Sequence, residues 1–185
     1  MAEFPTKRNT QLQKYLEQYH DLFKEIKVQN KTLLLREGET AKKIFFIKKG
    51  CLRMWMNHEG KEITFQFFFE NEMVASIESF RSNKPGILNI ETLEPSELLV
   101  ITKKNFEFLF SELPELKDFL LETAFTRFAH YTKLYVSFLK NNPVERYMDL
   151  LRNDPRIIQR IPQHYIASYL GITPVSLSRI RNKIR

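Results

Sequence analysis

The last thirty residues, 156–185, carry six basic side chains (Arg156, Arg160, Arg179, Arg181, Lys183 and Arg185) and no Asp or Glu. Residues 1–110 are nearly balanced in charge, so the basic end points to an anionic partner. The local pattern gives that charge a geometry. In IPQHYIASYLGITPVSLSRIRNKI (161–184), Pro162 opens a short helix whose apolar residues are Tyr165, Ile166, Tyr169 and Leu170. Gly171 can take the positive φ of a tight inter-helix turn, and Ile172 plugs that turn. Thr173 is an N-cap type, and Pro174 suits the first helical position. The second helix is expected to bury Leu177, Ile180 and Ile184 and to turn Ser176, Ser178, Arg179, Asn182 and Lys183 the other way. Two helices about a Gly-containing turn form the unit that enters the major groove of DNA. Arg donates bidentately to guanine O6 and N7, and Ser and Lys reach base edges or phosphates. The candidate base readers are Thr173, Val175, Ser176 and Arg179. Ser178, Arg181, Asn182 and Lys183 are candidates for phosphate contacts or the rim.

Other chemistries find little material. Cys51 is the one cysteine, which excludes an internal disulfide and a thiolate metal cluster. It reads as a small core residue of a strand, with oxidation sensing as the alternative. His20, His58, His130 and His164 are scattered and supply no His-x-His pair for a cupin-type metal site. No Gly-x-Ser-x-Gly elbow and no phosphate-cradling Gly-rich loop occurs. We expect no catalytic centre, no metal and no cofactor; a cupin-like β-barrel enzyme is the remote alternative.

The elements that must position the basic unit can be read from periodicity. Residues 11–26 place Leu12, Tyr15, Leu16, Tyr19, Leu22, Phe23 and Ile26 at helical spacing. Short apolar runs follow at 32–35, 44–48, 51–56, 63–69, 88–93 and 98–101. Turn signals such as Lys49-Gly50, Glu59-Gly60 and Pro85-Gly86 separate them, so a sandwich or barrel is expected. A short helix at 105–110 precedes a long one opened by Pro114. Its residues Leu120, Ala124, Phe128, Tyr131, Tyr135 and Phe138 repeat at close to 3.5 residues, which predicts a face that pairs with a second copy. Phe119, Phe125 and Leu134 are left to pack on the barrel. Asn141-Asn142-Pro143 ends this helix and starts the next, which closes before Asp154-Pro155.

The chain has 185 residues, 43% hydrophobic and 28% charged, with a formal charge of +7. That is material for one or two packed domains. No apolar run approaches the ~20 residues of a membrane helix, and the N-terminus lacks the apolar core of a signal peptide. A cytoplasmic setting without a membrane partner is expected.

The segment IASYLGITPVSLSRIRNKI resembles the helix-turn-helix of the Crp/Fnr superfamily of bacterial transcription regulators. REGETAKKIFFIKKGCLRMWM (36–56) resembles the β-roll signature of that superfamily, with Gly38-Glu39 before one strand and Gly50 in a following turn. The resemblance runs ungapped through FFFENEMVASIESF, the long helix and Arg146. It implies an α+β chain: an N-terminal cyclic-nucleotide-binding-like β-roll (a jelly-roll-like barrel) at 1–113, a dimerisation helix at 114–141 and a winged-helix-like reading unit at 142–185. It implies a homodimer on palindromic double-stranded DNA, with RNA polymerase and a small effector as further partners. Because the second helix ends at Arg185, the wing is expected to be short or absent.

Departures from the family pattern bear on the effector. Members that bind cyclic AMP hold it with a Gly-Glu pair and an Arg-Ser-Ala triplet. Those positions are Ala75-Ser76 and Gly86-Ile87-Leu88 here, and Glu78, Arg81 and Lys84 lie nearby on what reads as a charged surface loop. A buried phosphodiester needs charge-assisted donors, so cyclic AMP is not expected to bind. An effector pocket, if built, would draw on Phe65, Met73, Ser76, Ile77, Gly86, Ile87, Leu88, Phe128, Tyr131 and Thr132. The alternative is an effector-independent regulator whose roll is filled by its own Phe side chains, Phe65, Phe67, Phe69, Phe80 and Phe125. Pro174-Val175 stand where the best-known members carry Arg-Glu, so the operator should differ, with Val175 placed for a thymine methyl.

Overall fold

A computed structural model describes residues 18–184. Eight strands form two antiparallel sheets: β1 Phe23–Val28, β2 Leu33–Leu35, β3 Lys43–Lys49, β4 Leu52–His58, β5 Lys61–Phe68, β6 Met73–Val74, β7 Asn89–Thr92 and β8 Ser96–Thr102. One sheet runs β1-β8-β3-β6 and the other β2-β7-β4-β5. Their facing sides close a β-roll. Successive strand residues point to opposite faces, so Leu52, Met54, Phe68 and Ile90 meet Ile44, Ile47, Leu98 and Val100 inside. Cys51, Arg53, Phe67 and Phe69 take the outer face of the second sheet, and all four are buried.

All six strands read from the sequence form. The reading of 11–26 as one helix does not hold over its end: Phe23–Val28 is β1, paired with β8 from Phe23↔Ile101 to Val28↔Ser96. Residues 11–17 lie outside the described residues. In FKEIKV the step from Phe23 to Ile26 fits a helix, and the step from Ile26 to Val28 fits a strand. The open edge of β8 decides between them. The short α1, Ile77–Ser82, stands where the sequence suggested a charged loop, with Glu78, Arg81 and Lys84 exposed as expected.

The helices follow their proline and cap signals. After α2 (Lys103–Glu112) come α3 (Pro114–Lys140), α4 (Pro143–Asn153), α5 (Pro155–Arg160), α6 (Gln163–Tyr169) and α7 (Pro174–Ile184). Pro opens four of these helices at the position where its missing N–H costs nothing. Asn142 and Glu145 complete a capping box on α4. The sequence reading took Asp154-Pro155 only as a stop; the same pair also starts α5. Among the described residues, no helix is long and apolar enough to cross a membrane.

The β3–β4 turn is closed by Gly50 at φ +110, and a Cβ there would lie 2.2 Å from Ser96 Oγ and 2.9 Å from Ser96 Cα. Gly60, at φ +78, has open space around it. Gly60→Ala should therefore cost about 1 kcal/mol through the left-handed backbone alone. Gly50→Ala should cost about 2–4 kcal/mol, because overpacking adds to that strain. Urea unfolding of the two variants checks the ranking, and equal losses would refute it.

Candidate nucleic-acid interface

The reading unit is built on the Gly171 turn. Gly171 takes φ +66, its N–H bonds Ser168 C=O at 3.1 Å, and Ile172 N–H reaches Ala167 C=O at 3.0 Å. These bonds satisfy the orphan carbonyls of α6 and aim the chain into α7. Thr173 Oγ1 caps α7 by accepting from Ser176 N–H at 3.1 Å, and its hydroxyl lies 2.9 Å from the Ser176 hydroxyl. Leu177 and Ile180 are buried; Ile184, expected inside, is exposed because α7 outruns its core there. Val175, Ser178, Arg179, Asn182 and Lys183 stand in solvent with Thr173, while Ser176 and Arg181 are half-buried. The candidate readers thus share one open helix face. Ser176 and Thr173 already serve each other, which leaves Val175 and Arg179 as the free groups for base edges.

The seat of this unit is the outer face of the second sheet. Phe67, Phe69 and Cys51 share one buried cluster with Tyr147, Leu150, Ile157, Ile161, Ile166, Ala167, Tyr169, Leu170, Leu177 and Ile180. Ser168 Oγ accepts from Thr64 N–H at 2.8 Å and donates to Glu62 C=O at 2.7 Å, stitching α6 to the edge of β5. Arg53 is fully buried: Nε donates to Glu91 at 2.8 Å, Nη2 to Glu62 at 2.6 Å and Nη1 to Thr64 at 3.3 Å. The Tyr165 ring covers its guanidinium at 3.7 Å. Arg160 pairs with Glu70 and Glu94, and Arg156 pairs with Asp154 and lies over the Phe69 ring at 4.5 Å. Two of the six terminal basic residues therefore face their own chain. The sequence reading missed this seat, although an Arg inside the apolar strand LRMWM was a usable signal, since a buried charge needs partners. Cys51 belongs to the seat: burial pushes its thiol well above the usual range, so it is an unreactive core group.

The long helix α3 fully buries only Leu116. Leu120 packs on the roll core, Tyr131 donates its hydroxyl to Gln66 and stacks on Phe65 at 5.1 Å, and Phe138 abuts Gly171. These three, expected on the pairing face, meet their own chain instead. Phe125, expected on the barrel, is exposed, as are Ala124, Phe128 and Tyr135. The outward row is Leu121, Phe125, Phe128, Thr132, Tyr135 and Leu139, with alternating steps of four and three. Its five apolar members are 55–71% exposed. At the elbow, Arg146 donates to Asn141 C=O at 2.8 Å and Leu170 C=O at 3.2 Å, with its guanidinium over the Phe138 ring.

The candidate pocket residues divide. Ser76 is buried and a Cβ on Gly86 would lie 3.1 Å from its hydroxyl; Met73 and Leu88 pack on the roll core. Ile77, Ile87, Phe65, Phe128 and Thr132 are exposed rather than lining a closed chamber, and Tyr131 is taken by Gln66. Arg127, which donates to Met73 C=O, fills the junction between roll and long helix.

Residues 25–112 match the cyclic nucleotide-binding domain family. The chain is 28% identical over 82 residues to the anaerobic regulatory protein of Bacillus subtilis (strain 168), a match covering 44% of this chain and 34% of that protein. The matched stretch thus spans about a third of that relative. Among solved structures, the c-di-GMP responsive global regulator CLP of Xanthomonas campestris superposes with a TM-score of 0.77 at 15% identity, covering 93% of this chain and 91% of that one. FixK2 of Bradyrhizobium japonicum superposes at 0.75 and 16% identity, covering 88% and 84%. Over residues 25–112 the chain is similar to cyclic nucleotide-binding domains, and its fold is that of CLP and FixK2. The Bacillus protein and CLP are both named as regulators.

One acidic group sits where roll, long helix and C-terminal helices meet. Burial pushes the Glu72 carboxyl from 4.5 up to about 7, against the pull of Arg127 and Arg156. The folded state then holds a proton that the unfolded chain has lost, so stability falls as pH rises from 4.5 to about 7. Glu72→Gln should melt above the wild type at pH 8 and together with it at pH 4. Equal melting temperatures at both pH values would refute the assignment.

Proposed function

We propose that this chain is a homodimeric, sequence-specific DNA-binding transcription regulator reading a palindromic operator, with no cyclic AMP in its roll. The open face of α7, headed by Val175 and Arg179 and free of acidic side chains, carries this reading. Arg181, Asn182 and Lys183 follow on the same helix and suit phosphates. The apolar row of α3 supports a second copy: exposed Leu121, Phe125, Phe128, Tyr135 and Leu139 at heptad spacing fit a two-helix seam. For the roll, the side-chain-filled reading is favoured. Phe68, Met54, Phe80, Val74, Ile90 and Leu98 occupy its interior, and Arg81 and Lys84 face solvent instead of a phosphate. Roll, long helix and reading unit correspond in this reading to 1–113, 114–141 and 142–185. RNA polymerase and a small effector other than cyclic AMP remain partners of the regulator class to which the reading assigns the chain.

Selection of fragments from the host's genomic DNA by the purified protein should enrich an inverted repeat with half-sites about one helical turn apart. Arg179→Ala should cost about 1–3 kcal/mol on that repeat and relax the preference at one position. An equal loss on random DNA would remove Arg179 from base reading. Phe128→Glu should yield monomers in light scattering; persisting dimers would place the interface elsewhere.

A further inference from the structure

Two turns at one end of the roll converge on a single guanidinium of the reading unit, and a third joins them through Glu70. Arg160 Nη1 donates to Glu70 Oε2 at 2.8 Å, and Nη2 donates to Glu70 Oε1 at 2.8 Å and to Glu94. Glu70 Oε1 also accepts from Gly50 N–H at 2.9 Å. Gly50, Glu70 and Glu94 belong to the β3–β4, β5–β6 and β7–β8 turns, and the Phe69 ring lies 5.1 Å from the same guanidinium. We propose that Arg160 is a positioning residue: by gripping two turns of the roll, one of them tied in turn to the β3–β4 turn, it sets where the recognition helix α7 stands relative to the roll. The proposal rests on the DNA-reading function above for its consequence, not for its geometry. Arg160 ends α5 and is followed by Ile161, buried in the shared core, and by the start of α6, which leads through the Gly171 turn into α7. A shift at Arg160 is thus passed to the reading face. The bidentate grip on Glu70 with a third bond to Glu94 restricts rotation as well as distance, which a Lys point charge would not do.

The test measures distance without DNA. Spin labels at Lys43→Cys on β3 and Lys183→Cys on α7, in labelled chains diluted with unlabelled ones, report the roll-to-helix distance; Cys51 is fully buried and stays unlabelled. The parent protein should give one narrow distribution. Arg160→Glu brings a third carboxylate to Glu70 and Glu94 and should lengthen the mean distance and broaden the distribution about twofold, with Glu94→Gln in between. On selected DNA, Arg160→Glu should lose about tenfold in preference for half-site spacing while keeping its half-site sequence. An unchanged distance distribution overturns the proposal. Should Arg160→Glu fail to fold, Glu94→Gln decides alone, because it leaves the reading unit's sequence intact; a parental distribution then overturns it equally. A parent protein that selects no repeat sinks the DNA reading and leaves the distance test standing.

Discussion

The core shared between roll and reading unit is the constraint from which the rest follows. The stretch from Pro143 to Ile184 holds four short helices. It completes its core with Phe67, Phe69 and Cys51 from the roll. The second sheet must therefore be apolar on both faces, which explains why FQFFF (65–69) reads as a nearly unbroken apolar run instead of a clean alternation. Arg53 and Ser168 are matched at this interface, whereas Trp55 Nε1 beside Arg53 is buried without a hydrogen-bond partner. Arg53 meets Glu91, Glu62 and Thr64, and Ser168 meets both groups of the β5 backbone that face it. Removing one partner of such a set would leave a buried charge uncompensated, which is costlier than losing the pair.

How much was legible in the sequence followed from how local the cause was. Helix starts at Pro114, Pro143 and Pro174 and the positive φ at Gly171 depend on a few adjacent residues, and all were readable. The strand at Phe23–Val28 was not, because its six residues satisfy both periods and the edge of β8 settles the matter. The exposed row of α3 was not legible for a related reason. A 27-residue helix with aromatic residues on several sides offers more than one apolar row, and only the position of the roll shows which is taken. Tyr131 and Phe138 look like seam residues by spacing; Gln66 and Gly171 claim them. Phe65, Phe67 and Phe69 were read together as cavity fillers. In the fold Phe65 stacks on Tyr131 and the other two enter the shared core, while Phe68 fills the roll.

Charge counting met the same limit. Six basic residues at the C-terminal end suggest one electrostatic footprint, yet position divides them. Arg156 and Arg160 are neutralised by Asp154, Glu70 and Glu94. Arg160 in turn holds the Glu70 carboxyl down at about 2. What remains for phosphates is the positive charge of α7 itself, concentrated along the helix that carries the candidate readers. A smaller but focused field favours orientation over indiscriminate attraction, since backbone contacts fix register and base contacts fix sequence.

The two interfaces of α3 and the seat divide the geometric task. The outward row of the helix, Leu121 to Leu139, would set how two chains cross. Its inward row, Leu116, Leu120, Arg127, Tyr131 and Phe138, holds the roll and the elbow of the reading unit. In the proposed dimer, the separation of two α7 helices would follow from one crossing angle and one docking position. A ligand can alter that separation only by binding one arrangement of these interfaces better than another. With the roll interior filled and Tyr131 hydrogen-bonded to Gln66, the group most exposed to such bias is Glu72. It faces Arg127 of the long helix and Arg156 of the reading unit across the roll's β5–β6 turn. Its half-buried carboxyl changes charge near pH 7, at a place where all three parts of the chain meet.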